Sequence, residues 1–379
     1  MSSLFGTTLR VSIFGQSHSQ AIGCVIDGLP AGFKLNEDAL QEFMSRRAPG
    51  QNAWSTPRKE ADAPQIVSGL NDRGETCGAP LAALIYNTNT RSGDYDELRR
   101  VPRPGHADFT AWAKWHGSQD VPGGGHFSAR LTAPLCVAGG IALQLLAQHG
   151  IRIAAHVLQV ADKKDEPFDA LVNSPAANDH LNEQMDALQS GWKSRSFPTI
   201  DNTAAEHMKD AIAQARKQGD SVGGVVECVA RGMPAGIGGP RYDGLQGSIA
   251  RVVFGIPAVK GLEFGTGFDV ASMTGSQNND PYEIRDGMVV PTTNNAGGTL
   301  GGISTGAPIL FRMAVKPTPS IALPQQSVDL EEMREATLEV RGRHDPCVAA
   351  RAVPIAEAAM ALAILDSWLT FPPSSSEWT

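Results

Sequence analysis

Three segments of the chain combine glycines with a histidine, a hydroxyl group or a charge, and such residues can bind or transform a ligand. They are residues 103–108 (RPGHAD), 123–130 (GGGHFSAR) and 296–306 (AGGTLGGISTG). Glycine lets the main chain approach a ligand closely, and successive amide groups at a helix N-terminus can bind phosphate. The second segment fits this role best, because a helix is predicted over residues 133–149. Neither a P-loop nor a dinucleotide fingerprint is present, and tight turns alone explain many glycine-rich stretches.

Histidine supplies the candidate acid–base groups. His18 follows residues 14–17 (FGQS) at the end of a predicted strand, where an imidazole can serve as a general acid near neutral pH. His106 and Asp108 could form half of a metal site, but no matching carboxylate cluster accompanies them and no metal is predicted. The histidines outside these motifs are interpreted as structural or solvated: His116, His149, His156, His180 and His207.

Two further segments carry charges next to proline. Residues 316–320 (KPTPS) follow the apolar run 308–315 and place an ammonium group and hydroxyls at a strand end, a frequent ligand site that suits a phosphate. Residues 342–346 (GRHDP) place a cation, an imidazole and a carboxylate side by side. In extended backbone Arg343 and Asp345 share a face. Taken alone, these five residues are best interpreted as a surface loop with a local ion pair.

The charge balance limits the partners of the chain. Its formal net charge is −8, whereas binding to nucleic acid depends on a broad basic surface, so a nucleic-acid partner is excluded. Basic residues cluster locally instead, which suits a small anionic ligand. For any single pair, a surface salt bridge is the more common explanation. The basic clusters are residues 46–47, 58–59, 99–103 and 341–351.

Composition also bears on location and domain number. Five widely spaced cysteines without a CxxC pair indicate neither a disulfide framework nor a zinc site. Residues 1–14 lack a basic segment followed by a long apolar run, so no secretory signal is expected and a cytosolic location is predicted. With 379 residues, 41% of them hydrophobic, the chain can form one large domain or two smaller ones.

Alternating strands and helices must position these residues, which predicts an α/β (α+β) fold. Strands bounded mostly by glycine or proline are predicted at residues 10–14, 22–27, 81–86, 151–160, 222–229 and 308–315. A helix with Asn36 as its N-cap would deliver two arginines, residues 46–47, at its C-terminal end. Thr203 and Glu206 have capping-box spacing and open another helix, which Gly219 closes.

The most apolar predicted helix lies near the C-terminus. Pro354 begins it, and residues 355–369 are apolar on nearly all sides, which places them in the core or at a subunit interface. The segment is shorter than the roughly 20 residues that cross a membrane, and Glu357 and Asp366 interrupt it. No membrane span is therefore predicted.

Taken in order, the motifs resemble those of the chorismate synthase family. They are residues 14–18 (FGQSH), 103–108 (RPGHAD), 123–125 (GGG) with 128–130 (SAR), 316–318 (KPT), and 342–347 (GRHDPC) with 351–354 (RAVP). The resemblance runs from residue 4 to about residue 370. Chance agreement of five long motifs in the same order is very improbable.

The resemblance implies a fold, an activity and a cofactor. The fold is one large β-α-β sandwich domain over residues 1–379, with a core of about residues 4–370, a flexible tail at 371–379, and usually a homotetrameric assembly. The activity is an anti-1,4-elimination of phosphate and a ring hydrogen that converts 5-enolpyruvylshikimate 3-phosphate to chorismate, the last common step of aromatic amino acid biosynthesis. It requires reduced FMN, without net redox change.

The resemblance also assigns roles by motif. His18 would be the acid for the leaving phosphate, His106 would protonate or stabilise the reduced flavin, and Asp345 would exchange a proton with the flavin N5. The arginines implied to hold the anionic substrate are Arg47, Arg130 and Arg343. The implied FMN contacts are His126, Phe127, Ser128, Pro257, Ala258, Gly301, Lys316, Pro317, Thr318, Pro319, Ser320 and Arg343.

Several positions depart from the family pattern near the flavin and nucleotide (NADP) sites. His126–Phe127 replace the usual Arg-Ser, Pro257 replaces an asparagine, and Ala53 replaces an arginine. Gln16 occupies a position where the family usually has a glutamate, and Val121–Pro122 replace an arginine-containing sequence. A neutral imidazole offers one donor where arginine offers a charged, bidentate grip, so FMN binding weaker than the family norm is expected.

Two other function classes remain as alternatives. A metal-dependent phosphohydrolase would need His106 and Asp108 to bind a metal ion. A non-catalytic flavin-binding paralogue would bind its ligand without turnover. Both rank below the lyase, because the set of His18, His106 and Asp345 is complete.

Overall fold

The computed structural model describes residues 3–50, 60–88, 97–190, 197–340 and 345–373. The helices in these ranges are α1 (Glu37–Arg47), α2 (Asp108–Trp115), α3 (Thr132–Gln148), α4 (Pro175–Ser190), α5 (Asn202–Lys217), α6 (Leu245–Val253), α7 (Gly275–Asn278) and α8 (Ala349–Thr370). The strands are β1 (Leu4–Phe5), β2 (Arg10–Phe14), β3 (Ala21–Asp27), β4 (Gln65–Ser68), β5 (Leu81–Tyr86), β6 (Arg152–Val160), β7 (Lys163–Lys164), β8 (Gly224–Arg231), β9 (Val259–Phe264), β10 (Tyr282–Arg285), β11 (Met288–Pro291), β12 (Thr299–Leu300), β13 (Ile303–Ser304), β14 (Ile309–Val315), β15 (Gln325–Asp329) and β16 (Arg334–Leu338).

Two five-stranded antiparallel sheets form the outer layers. The first has the order β1-β2-β3-β5-β4, and the second has the order β7-β6-β8-β14-β9. Strand β14 is an interior strand of the second sheet, where Phe311 is paired with Cys228 of β8 on one side and with Phe264 of β9 on the other. Three two-stranded hairpins, β10–β11, β12–β13 and β15–β16, project from this frame.

Helices α3 and α8 fill the space between the two sheets. Helix α3 packs on β2, β3 and β5, while α8 packs on β6 and β8, and the two helices pack on each other. Their approach is close, since a Cβ atom on Gly139 would lie 2.2 Å from Cβ of Ala358. The expected β-α-β sandwich is therefore confirmed, and it explains why both helices are apolar on nearly all sides.

The predicted strands agree with the structure to within two residues at each end, and the predicted cap of α1 is also confirmed. Asn36 Oδ1 accepts a hydrogen bond of 3.0 Å from the Ala39 amide. The predicted cap of α5 is wrong. That helix begins at Asn202, and the carboxylate of Asp201 accepts hydrogen bonds from the amides of Thr203 and Ala204. A carboxylate can satisfy two amides at once, which gives Asp201 the advantage over a hydroxyl.

The predicted start of the last helix is wrong as well. Helix α8 begins at Ala349, five residues before Pro354, so the proline lies inside it. The 22 residues of α8, like the 20 of residues 129–148, are long enough to span a membrane. The prediction that this helix is too short to cross a membrane is therefore wrong. Most of each segment is buried inside the protein. In the most apolar 18-residue stretch of α8 94% is buried, and in that of residues 129–148 the buried share is 78%. This is the arrangement of core helices, and the buried side chains compensate for the backbone hydrogen bond that proline removes.

Candidate active site

One cavity of about 1160 Å³ brings together most of the predicted site residues. This volume exceeds the roughly 300–1,000 Å³ of pockets that hold one small ligand, so two molecules can fit side by side. The predicted residues that line it are Arg47, His106, His126, Phe127, Ser128, Arg130, Pro257, Ala258, Lys316, Thr318, Pro319, Ser320 and Asp345.

Four predicted residues are not among those that line the cavity. His18 lies behind the glycine loop, where a Cβ atom on Gly123 would come within 2.4 Å of its ring. Pro317 lies between two lining residues, and exposed Gly301 lies at the turn between β12 and β13. Arg343 is outside the described residues, as are Ala53 and the tail from residue 374.

Residues 123–125 form a tight loop that contacts both candidate histidines. All three glycines have positive φ, at 62°, 83° and 54°, a conformation that side chains disfavour. A Cβ atom on Gly124 would lie 3.0 Å from His106 Nε2. A 3₁₀ turn at Ala129–Leu131 separates the loop from the start of α3, so the three glycines do not lie at the N-terminus of this helix as expected. The glycines instead give the two histidines room.

Two buried arginines lie on one wall of the cavity and share a carboxylate. Arg47, from the last turn of α1, and Arg130 each form an ion pair with an oxygen of Asp62. Burial alone would raise the pKa of the Asp62 carboxyl, but the two guanidinium groups outweigh it and hold that pKa below its usual value. Arg130 Nη2 is buried and has no hydrogen-bond partner among the described residues. This wall therefore presents an unused cationic donor.

A third arginine holds the candidate base. Arg351, on the first turn of α8, donates a 2.6 Å hydrogen bond to Asp345 Oδ2 and another of 3.2 Å to the Arg47 carbonyl. The other oxygen of Asp345, Oδ1, is buried without a hydrogen-bond partner in the described part of the chain. Neither Arg351 nor Asp62 was predicted to take part in the site. Arg351 lies in a recognised motif, whereas Asp62 gives no sequence signal because its neighbours are ordinary loop residues.

His106 forms a direct hydrogen bond with Asp108 instead of half a metal site. Its Nδ1 lies 2.6 Å from Asp108 Oδ1, and the Arg103 guanidinium donates to the same carboxylate. Across the described ranges, no group of three or more His, Cys, Asp or Glu side chains is arranged to hold a metal ion. The metal-dependent alternative therefore has no support in this pair.

The two residues that depart from the family pattern, His126 and Phe127, have partners inside the protein. His126 Nδ1 donates a 2.7 Å hydrogen bond to the Gly15 carbonyl, and its Nε2 lies 2.7 Å from Ser3 Oγ. The Phe127 ring packs against Trp115, with ring centroids 5.8 Å apart. Both ring nitrogens of His126 are thus engaged by neutral groups.

The predicted cofactor segment follows the interior strand β14. Lys316 Nζ donates to the Gly105 carbonyl, and Ser320 Oγ accepts a 3.1 Å hydrogen bond from Arg103 Nη1. Burial and the nearby Lys260 ammonium group lower the pKa of Lys316. Thr318 Oγ1 is buried and has no partner among the residues described. The segment therefore keeps a hydroxyl available for a ligand.

The chain is similar to known proteins over nearly its whole length. The chorismate synthase family model matches residues 9–369. A chorismate synthase of Lancefieldella parvula is 54% identical over 372 residues, covering 98% of this chain and 97% of the relative, and one of Methanosarcina barkeri is 44% identical, covering 97% and 96%. A crystal structure of chorismate synthase superposes with a TM-score of 0.73 at 25% identity, covering 96% of this chain and 93% of that one. The chain therefore belongs to the chorismate synthase family.

Proposed function

We propose that the cavity binds 5-enolpyruvylshikimate 3-phosphate beside reduced FMN and that the chain converts this substrate to chorismate and phosphate. Family membership makes the chain a carbon–oxygen lyase of aromatic biosynthesis. The observation that carries the substrate proposal is the buried Nη2 donor of Arg130, which has no partner within the described ranges. A buried cationic donor is costly unless an anion satisfies it, and the substrate brings two carboxylates and a phosphate.

The residues around the cavity fit a flavin mononucleotide. The Thr318 hydroxyl, which has no partner among the described residues, suits its phosphate together with the Lys316 ammonium group and Ser320. Pro257 and Ala258 offer an apolar wall for its ring system. When bound in its reduced form, FMN supplies electron density to the substrate ring without net oxidation. His126 is the weak point of this set, because its nitrogens are already engaged.

The chain's own groups can orient the substrate and move protons. Arg47, Arg130 and Arg351 lie on the cavity wall and neutralise anionic groups. In the elimination, a carbon–oxygen bond and a carbon–hydrogen bond break, and the phosphate departs with the electrons of the former. Asp345 can accept a proton at Oδ1, which has no partner among the described residues, and His106 can hold or give one at Nε2. His18 is proposed as the acid that assists the departing phosphate.

A non-catalytic paralogue is not favoured. Such a protein could lose its acid–base groups without penalty, yet His18 and His106 both contact the glycine loop and Asp345 keeps an oxygen available. A metal-dependent phosphohydrolase is not favoured either, because Asp108 is saturated by Arg103 and His106.

We further propose one domain with a core of about residues 4–370, a cytosolic location and a homotetramer. The helices that the two sheets share support a single domain. The β10–β11 hairpin exposes Tyr282, Ile284, Met288 and Val289, each more than 60% accessible. Apolar side chains exposed together mark association surfaces, and this hairpin supports assembly of several copies.

One assay tests the proposed activity. Purified protein is mixed anaerobically with chemically reduced FMN and 5-enolpyruvylshikimate 3-phosphate, and chorismate and free phosphate are measured. Both should form in equal amounts while the flavin remains reduced. Turnover that persists with oxidised FMN, or without flavin, would rule out the proposed role of the cofactor, and no turnover under any condition would favour the paralogue.

A further inference from the structure

Asp108, at the start of α2, lies between His106 and Arg103 and has few remaining acceptor positions. Its Oδ1 lies 2.6 Å from His106 Nδ1 and 2.9 Å from Arg103 Nη2. Its Oδ2 accepts from Arg103 Nε at 2.7 Å and from the Arg103 amide at 3.1 Å. The side chain of Asp108 is only 8% exposed. Four donors therefore converge on one buried carboxylate.

The distances select one arrangement of the imidazole proton. Arg103 Nη2 also lies 3.2 Å from His106 Nδ1 and could donate to it if that nitrogen carried a lone pair. That tautomer would press the lone pair against the carboxylate oxygen at 2.6 Å, a separation typical of a strong charge-assisted hydrogen bond and repulsive without a proton. The proton therefore sits on Nδ1, and Nε2 is the nitrogen that faces the glycine loop at Gly124.

We propose that Asp108 is a positioning residue for His106: it fixes the Nδ1–H tautomer, so that Nε2 is the atom that exchanges a proton with whatever occupies the cavity. The part of this inference that concerns turnover rests on the proposed function. The part that concerns the tautomer does not, because it follows from contacts within the chain.

Arg103 extends this arrangement to the cofactor segment. Its Nη1 donates to Ser320 Oγ at 3.1 Å while its other donors hold Asp108. Burial alone would raise the pKa of the Asp108 carboxyl, but the hydrogen bonds from Arg103 and His106 outweigh it and hold that pKa below its usual range. Asp108 therefore stays ionised near neutral pH, and one arginine couples the orientation of His106 to the loop that holds Thr318 and Ser320.

Replacing the carboxylate by an amide should reverse the tautomer. In Asp108→Asn, a single side-chain oxygen remains. The Arg103 amide and Nε at the Oδ2 position can only donate, whereas His106 Nδ1 at the Oδ1 position can become an acceptor, so we expect the oxygen to stay at the Oδ2 position. The amide nitrogen then faces His106 Nδ1, which must accept a hydrogen bond. The neutral ring consequently carries its proton on Nε2, and the cavity meets a donor in place of an acceptor.

The test measures the tautomer without flavin or substrate. Protein labelled with ¹⁵N-histidine is studied by two-bond ¹⁵N–¹H spectroscopy at about pH 9, where an ordinary imidazole is neutral, and the His106 signals are assigned with His106→Gln. We expect Nδ1–H in the natural protein and in Asp108→Glu, and Nε2–H in Asp108→Asn. Asp165→Asn, which alters a different histidine–carboxylate pair, is the matched control and should leave the His106 signals unchanged.

Turnover provides the second readout. Asp108→Asn should lower kcat by about 10²-fold with little change in KM, and Asp108→Glu should recover part of the loss. An Nε2–H ring in the natural protein, or an unchanged tautomer in folded Asp108→Asn, would overturn the inference. Should Asp108→Asn fail to fold, the spectrum of the natural protein still decides. A protein that makes no chorismate but has the Nδ1–H ring would contradict the proposed function and leave this inference standing.

Discussion

His106 and His156 both bind carboxylates inside the protein, and they differ in what their second nitrogen meets. His106 pairs with Asp108 through Nδ1, is 16% exposed, and presents Nε2 to the glycine loop of the cavity. His156 has no exposed surface, and it lies 2.9 Å from Asp165 through Nδ1 and 3.1 Å from Glu227 through Nε2. The first ring can exchange a proton, whereas the second has both nitrogens committed.

The surroundings of His156 fix its charge. Two ionised carboxylates can only accept, so the ring must donate at both nitrogens and exist as imidazolium. Burial by itself lowers the pKa of His156, but the hydrogen bonds that the ring donates to Asp165 and Glu227 outweigh it and raise that pKa above the ordinary value. Arg312 completes the network by donating to Glu227. The comparison teaches that a histidine–carboxylate pair becomes chemically useful only where one nitrogen is left over.

The largest expected effect is the loss of stability on breaking the His156 network. His156→Gln leaves Asp165 buried without its cation and Glu227 with Arg312 alone, and losing one partner of a buried ion pair typically costs about 3–5 kcal/mol. Because the folded pKa of His156 is raised above the unfolded value of about 6.5, its contribution is complete below pH 6.5 and is lost as pH rises through the folded pKa.

Calorimetric melting temperatures at equal protein concentration, compared at several pH values from about 6 to 9, measure this effect. The difference between the natural protein and His156→Gln should be widest at the acidic end and narrow toward pH 9. Folded His156→Gln should retain near-normal kcat, since none of the four described side chains His156, Asp165, Glu227 and Arg312 lines the cavity. A pH-independent difference would show that the ring is neutral.

The next effect concerns the cavity histidine and carboxylate. His106→Ala and Asp345→Asn should each lower kcat by about 10²-fold or more, the usual loss when general acid–base help is removed. Their melting temperatures should change less than that of His156→Gln, because His106 and the free oxygen of Asp345 serve the cavity and not the core. Near-normal rates in well-folded variants would show that their roles are misassigned.

A smaller effect is expected at the substrate wall. Arg130→Lys keeps the positive charge but loses the planar fork with which the guanidinium meets Asp62 and still offers Nη2. The loss of a charged hydrogen bond of about 1.5–3 kcal/mol corresponds to roughly a tenfold to hundredfold rise in the substrate dissociation constant. Isothermal titration of the substrate with FMN present measures it. Lys209→Arg, on α5 and outside the residues that line the cavity, is a control that should bind normally.

Local patterns predicted the frame of this molecule because each signal acts over a few residues. The predicted strands and the Asn36 cap depend on turn residues and on neighbouring amides, and both agree with the structure. The first residue of α8 could not be predicted from its neighbours in the sequence. Pro354 is a common helix start, but burial in the core extends this helix by five residues, and burial is decided by the two sheets.

The site residues also differ in whether the sequence alone identifies them. His106, Arg47 and Lys316 are marked by motifs, and the structure places all three at the cavity. Asp62 is invisible in the sequence, since its role depends on Arg47 and Arg130, which are 15 and 68 positions away. The role of His126 also depends on distant partners, because Ser3 and Gly15 engage its ring. Spacing identifies residue types, whereas such long-range partners appear only when the chain is folded.

The smallest expected effect concerns His126, which shares one property with His156 and another with His106. Both its nitrogens are engaged, like those of His156, but by a carbonyl and a hydroxyl, and its ring lines the cavity, like that of His106. The double variant His126→Arg with Phe127→Ser should therefore bind FMN more tightly than the natural protein. The gain should be about tenfold, the lower end of what one charged hydrogen bond provides, because the new arginine must forgo the Gly15 and Ser3 contacts.

Titration of oxidised FMN in the presence of substrate measures this gain in affinity. The single variant Phe127→Ser separates the loss of the Trp115 contact from the gain of charge. Equal affinity in a folded double variant would mean that the two contacts to the N-terminal segment are worth as much as the arginine, and that this loop does not limit flavin binding.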